Sequence, residues 1–92
     1  MTRRNLFAGN SSGVLQSQPL GNVPLIEVTG DKRVLIENHF GVISYCQSEI
    51  FIKVSKGVIE ILGDKMEILC MSKERIVICG IIRGVNLRRN SL

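Results

Sequence analysis

The side chains of this chain that most often take part in catalysis or metal binding are one histidine and three cysteines. Nucleophilic catalysis by cysteine needs a base beside the thiol, and Cys46 is the thiol nearest to His39 along the chain. Cys46, Cys70 and Cys79 have no C-x-x-C spacing, and no second histidine is present to complete a zinc site. We therefore predict that His39 is a solvated turn residue and that the cysteines are free thiols.

The acidic residues and the glycines also lack a catalytic arrangement. The eight Asp and Glu residues do not cluster, and only Glu60 and Glu67 could face each other, across a predicted turn. Paired catalytic carboxylates need a cleft, which short strands with tight turns do not leave. Gly80 and Gly84 lie in a β-rich segment and do not form a phosphate-binding loop. The sequence predicts no catalytic residue, no cofactor, no metal site and no enzymatic activity.

The apolar residues are of the kind that builds sheets. They make up 45% of the chain, but aromatic residues only 4%, so most are Ile, Val and Leu, and β-branched side chains favour strands. Short segments with period-two alternation follow one another, separated by turn residues. The segments are 25–28, 33–37, 42–46, 50–54, 58–62, 66–70, 75–79 and 81–85. We predict an all-β domain, an antiparallel meander of about seven or eight short strands folded as a compact sandwich or barrel-like sheet.

Two of the predicted turns have specific turn chemistry. Ser55-Lys56-Gly57 fits a three-residue hairpin loop with glycine in the left-handed conformation. Gly63-Asp64 fits a two-residue turn that opens with glycine. Both turns are expected to join antiparallel neighbours.

Charge and composition divide the chain into three parts. Residues 1–22 are rich in Asn, Ser, Gln and Gly and are predicted to be a flexible, disordered arm. Residues 23–87 form the β domain, and residues 88–92 a basic tail. The net charge of +4 comes mainly from the two ends, which favours an anionic partner or simple solubility. The longest apolar run, at 76–82, is much shorter than the about 20 residues that a membrane-spanning helix needs, and no signal peptide is predicted.

The second face of the predicted sheet is unusually apolar toward the C-terminus. One small core cannot easily cover both faces, so the sheet either folds over or meets a partner or another copy. We predict a partner-binding surface there, with basic residues beside it that favour a membrane or an acidic partner. This predicted surface comprises Leu69, Met71, Val77, Cys79 and Ile81, together with Arg83, Arg88 and Arg89.

Three stretches resemble the YabP/YqfC family of sporulation proteins, and most closely its YqfC type. They are RVLIENHFGVISY at 33–45, EIFIKVSKGVIEILGDKMEI at 49–68 and ERIVICGIIRGV at 74–85. The resemblance covers about residues 25–85. Its marks are structural glycines and apolar alternation, so no catalytic residues are carried over with it.

The resemblance implies a non-enzymatic protein that is required for endospore formation. It implies a protein-interaction or assembly module at the developing spore envelope. The implied location is the cytoplasm on the mother-cell side, including the periphery of the membrane. The implied partner is a membrane-anchored YqfD-type sporulation protein, or another copy of the chain. Two alternatives stay open: a self-assembling spore coat component, and a peripheral membrane-surface binder that uses the basic termini. Nucleic acid is disfavoured, because basic residues are not interleaved with exposed aromatic residues.

Overall fold

The computed structural model of the protein describes residues 23–90, and the arm predicted at 1–22 lies outside this range. Within it, six strands form one antiparallel sheet, and no residue is helical. This confirms the predicted all-β, antiparallel fold. The strands are β1 (Leu25–Thr29), β2 (Arg33–Glu37), β3 (His39–Cys46), β4 (Glu49–Val54), β5 (Gly57–Met71) and β6 (Arg75–Arg89).

The strand order in the sheet is β1-β2-β6-β5-β4-β3. The two longest strands, β5 and β6, therefore lie at the centre, with the β1–β2 hairpin on one side and the β3–β4 hairpin on the other. One residue, Asn38, links β2 to β3, and its φ of 64° turns the chain sharply between the two sides.

The structure has fewer and longer strands than the sequence predicts. Segments 58–62 and 66–70 join into β5, and segments 75–79 and 81–85 join into β6. The predicted turn at Gly63-Asp64 is therefore wrong. The pairing of β5 with β6 shifts register between Leu62 and Gly63 and again between Asp64 and Glu67, and Lys65 has a φ of 51°. These are β-bulges, some types of which use left-handed or glycine residues as turns do, but which bend a strand and do not end it.

The hairpin between β4 and β5 is confirmed, although its left-handed residue differs from the prediction. Val54 pairs with Gly57, so Ser55 and Lys56 alone form the turn. Lys56 has the positive φ, 64°, and Gly57 already belongs to β5. The β6 strand runs through Arg88 and Arg89, so the start of the predicted basic tail lies in the sheet.

The core shows that the sheet curls over one of its faces. Side chains from β2, β4, β5 and β6 form one apolar cluster, and most of them have no exposed surface. A flat sheet without a helix over it would leave both faces in water, so one face must curl around this cluster, as in a sandwich or barrel. The cluster contains Val34, Ile36, Ile50, Ile52, Val54, Ile59, Ile61, Met66, Ile76, Ile78 and Ile82.

Candidate functional site

Two residues of the predicted surface, Val77 and Cys79, lie on the outer face of the sheet. Val77 pairs with Leu35 of β2 on one side and with Cys70 of β5 on the other. Val77, Cys79 and Leu35 are only half-buried, whereas Cys70 is exposed. This face therefore carries a short apolar row that water reaches.

Leu69 and Met71 lie at the end of β5, close to this row but not in it. The pairing of β5 with β6 shifts register between Ile68 and Cys70, which leaves Leu69 as an extra residue with 60% of its surface exposed. Met71 pairs with the fully buried Ile76 but is itself 59% exposed. Simple alternation along 66–71 does not predict that Leu69 and Met71 lie outside the row of Val77 and Cys79, because the bulge reverses which side chains point outward.

Ile81 and Arg83 lie in a different region, beyond the bend of β6. Ile81 pairs with Asp64 and is half-exposed. The guanidinium of Arg83 contacts Asp64 at 3.3 Å and donates a hydrogen bond to the carbonyl of Gly63 at 3.2 Å. These residues surround the bulge and are separate from Val77 and Cys79.

Arg88 and Arg89 lie at the far end of β6. The Nε and Nη2 atoms of Arg88 each lie 3.2 Å from Oε1 of Glu60, a buried carboxylate, and the side-chain amide of Asn86 donates to the same oxygen at 3.3 Å. The eight residues of the predicted surface thus occupy several regions of the molecule. That they bind a partner stays a prediction.

The sequence did not indicate the position of His39. It is buried, not solvated as predicted, and it begins β3. Its Nδ1 accepts a hydrogen bond from the amide of Gly41 at 2.9 Å, so Nε2 carries the proton that is donated to the carbonyl of Ser72 at 2.8 Å. Because backbone groups occupy both ring nitrogens, the imidazole acts as a structural link between β3 and the β5–β6 connection.

A second contact joins the other end of β3 to β5. The hydroxyl of Tyr45 donates to the carbonyl of Met66 at 3.4 Å, and the amide of Met66 donates to the carbonyl of Gln47 at 2.9 Å. His39 contacts Ser72 and Tyr45 contacts Met66, so the two ends of β3 are joined to the two ends of residues 66–72, with the chain directions opposed. However, β3 pairs only with β4, and residues 67–71 of β5 pair only with β6.

These two strand segments, which we call the β3/β5 edges, leave backbone groups without a ladder partner in the described part of the chain. Of the ten large apolar side chains that are exposed in residues 23–90, five lie on these edges: Phe40, Ile43, Tyr45, Leu69 and Met71. Open edges with apolar side chains are sites where another strand can add. The signal that could have identified β3 is the absence of any Asp, Glu, Lys or Arg in its eight residues.

The geometry does not favour catalysis or metal binding. Among residues 23–90, no three His, Cys, Asp or Glu side chains lie close enough together to hold a metal ion. Cys46 is exposed, and hydrogen bonds from the side chain and backbone of Ser48 lower the pKa of its thiol. Its surroundings form an open surface depression with Asp64, Lys65 and Ile81, and Oγ of Ser48 lies 3.4 Å from its sulfur.

No helix in residues 23–90 could span a membrane. Comparison with known proteins gives one family match: the model of the YabP family matches residues 22–91, which include all six strands. This match does not distinguish the YqfC type from other members. No curated protein and no solved structure matches the chain significantly.

Proposed function

The chain belongs to the YabP family, and from this premise we propose that it acts in endospore formation through contact with other proteins. Membership of this family suggests a role in sporulation, and the family is not a known enzyme family. We place this role at the developing spore envelope, on the mother-cell side.

The observation that carries the proposal is the pair of β3/β5 edges. Their apolar side chains are between about half and two-thirds exposed, as in Tyr45 at 49% and Phe40 at 63%. Edge strands of monomeric proteins are normally protected by charged residues or proline. Here β3 has neither, although its two register shifts, on either side of Val42, limit the length over which a regular partner strand could pair.

A partner strand on these edges would gain in two ways. Main-chain hydrogen bonds would form with the unpaired backbone groups, and alternate apolar side chains would cover residues such as Ile43 and Leu69. We propose that the partner is a membrane-anchored sporulation protein of the YqfD type, as the family resemblance implies. Val77 and Cys79 would extend the contact on the neighbouring outer face.

The test is co-purification of the YqfD-type protein with the full chain from sporulating cells, together with counts of heat-resistant spores. Leu69→Lys places a charge on the β3/β5 edges, and Leu25→Lys is its control, since Leu25 is 49% exposed on β1. We expect Leu69→Lys to abolish co-purification and lower the spore count, with Leu25→Lys close to wild type. Retention of the partner by folded Leu69→Lys, or equal loss in both variants, would contradict the proposed surface.

Self-assembly is a second candidate, favoured by the same uncharged strand. Two copies of β3 could pair in antiparallel fashion without placing like charges opposite each other. In that case the purified chain would sediment as a dimer or larger species, and Ile43→Lys would return it to a monomer. A monomer at all concentrations would exclude this candidate and leave the contact with a second protein in place.

A further inference from the structure

Cations from two strands, β4 and β6, lie on either side of β5 at one end of the sheet. Val58 of β5 pairs with Lys53 of β4 and with Arg88 of β6. Directly paired residues point to the same face, and adjacent strands lie about 4.8 Å apart, so the Cα atoms of Lys53 and Arg88 are roughly 10 Å apart on one face. Both side chains are exposed.

The β4–β5 turn and the end of β6 each add one more cation to this end, Lys56 and Arg89. Gly57 pairs with Arg89, and the amide of Asn90 donates to the carbonyl of Lys56 at 2.9 Å, so the end of β6 is bound to the turn. Lys56 lies at the tip of the turn with a positive φ. We call this end of the sheet the basic end. Its exposed cations are Lys53, Lys56, Arg88 and Arg89, of which Arg88 and Arg89 point to opposite faces of the sheet.

The carboxylate that the structure places against the basic end is Glu60. Its side chain is 9% exposed and contacts Arg88, whereas the side chain of Arg88 keeps 65% of its surface in water. In residues 23–90, no ion pair joins Lys53, Lys56 or Arg89 to an acidic side chain. The basic end therefore keeps an excess of positive charge, and Glu60 holds one of its cations in place.

Apolar surface lies directly beside these charges. Val23, half-exposed, and Pro24 share a surface depression with Ser55, Lys56 and Arg89. Cations next to an exposed aliphatic side chain are typical of surfaces that contact the headgroup region of anionic membranes. A nucleic acid would be better matched by aromatic rings for base stacking, and none of these side chains is aromatic.

We propose that the basic end docks the protein on the surface of an anionic lipid bilayer. The tip of the β4–β5 turn would lie against the headgroups, with Lys53 and Arg88 on one side and Val23 beside Arg89. The β3/β5 edges involve other residues and would stay available for a protein partner. This inference is independent of the function proposed above, because it uses different residues and a different ligand.

The experiment is co-sedimentation of the full purified chain with vesicles of phosphatidylcholine, with and without phosphatidylglycerol. The double variant Lys53→Gln/Lys56→Gln is compared with Lys65→Gln/Lys73→Gln, which changes the net charge equally at exposed positions outside the basic end. Each lysine near an anionic surface contributes about a fivefold gain in affinity. We expect the first variant to bind about 25-fold more weakly and the second to bind like wild type.

Binding should need phosphatidylglycerol and should weaken with rising salt, since ions screen such charges over about 10 Å at 0.1 M. Circular dichroism of each variant establishes that it is folded. Failure to bind anionic vesicles would overturn the proposal, as would equal weakening in both double variants. Tighter binding to duplex DNA or to polyglutamate than to these vesicles, at the same salt concentration, would also overturn it.

Discussion

The imidazole of His39 donates a hydrogen bond to the carbonyl of Ser72 at 2.8 Å, across 33 residues of sequence. The other ring nitrogen accepts from the amide of Gly41 at 2.9 Å. One buried side chain thus joins the start of β3 to the connection between β5 and β6. It holds one end of the β3/β5 edges together, where the strands themselves exchange no ladder hydrogen bonds.

His39→Leu should therefore destabilise the protein by about 2 kcal/mol, because it leaves two partly buried backbone groups without partners. Urea unfolding at neutral pH measures this change. Tyr45→Phe is the comparison at the other end of β3: its hydroxyl makes a longer bond of 3.4 Å, and we expect a loss of less than about 1 kcal/mol. Equal losses in the two variants would show that the imidazole has no special role.

The close approach of β6 to Met66 of β5 depends on Gly80. Gly80 has a φ of 151°, and a Cβ atom there would lie 2.7 Å from Cα of Met66. Gly80→Ala should cost about 3 kcal/mol, since backbone cannot move aside cheaply. A Cβ atom at Gly84, in the same strand, would meet nothing within 4 Å, and Gly84 has no unusual φ. The free energy of unfolding of Gly84→Ala should therefore stay within about 1 kcal/mol of wild type. Thermal unfolding of the two variants provides the measurement.

The bulge of β5 at Gly63 and Lys65 shows where sequence reasoning stops. Period-two alternation and the Ser55-Lys56 turn were sufficient to predict an antiparallel all-β fold. They could not separate a bulge from a turn at Gly63 and Lys65, because both structures favour the same residue types. The predicted eight segments therefore became six strands.

The candidate site was harder to predict for a related reason. Alternation shows which residues share a face, but it does not show which strands end at an edge of the sheet. Leu69 and Met71 were selected from the sequence, whereas Phe40, Ile43 and Tyr45 on β3 were not. Their importance depends on the strand order, which places β3 outermost.

Cys46 should be the most reactive thiol of the described chain near neutral pH. Ser48 hydrogen bonds lower the pKa of its thiol, and a lower pKa gives a larger thiolate fraction at any pH below it. Iodoacetamide labelling followed by mass spectrometry should therefore modify Cys46 faster than Cys70, which is also exposed. Ser48→Ala should raise the pKa of Cys46 toward its ordinary value and move the pH profile of labelling upward. An unchanged profile would contradict this assignment.

The ion pair between Arg88 and Glu60 should contribute more to stability than the pair between Arg83 and Asp64. Glu60 has a side chain only 9% exposed, whereas the Arg83 and Asp64 side chains are 60% and 53% exposed. Arg88→Gln leaves a buried carboxylate with Asn86 as its remaining side-chain donor, and we expect a loss of about 2 kcal/mol in urea unfolding. Arg83→Gln should cost less than about 1 kcal/mol, because water already screens that pair. If Glu60→Gln in the Arg88→Gln background restores part of the lost stability, the cost arises from the uncompensated charge; if it restores none, the guanidinium stabilises the end of β6 by packing alone.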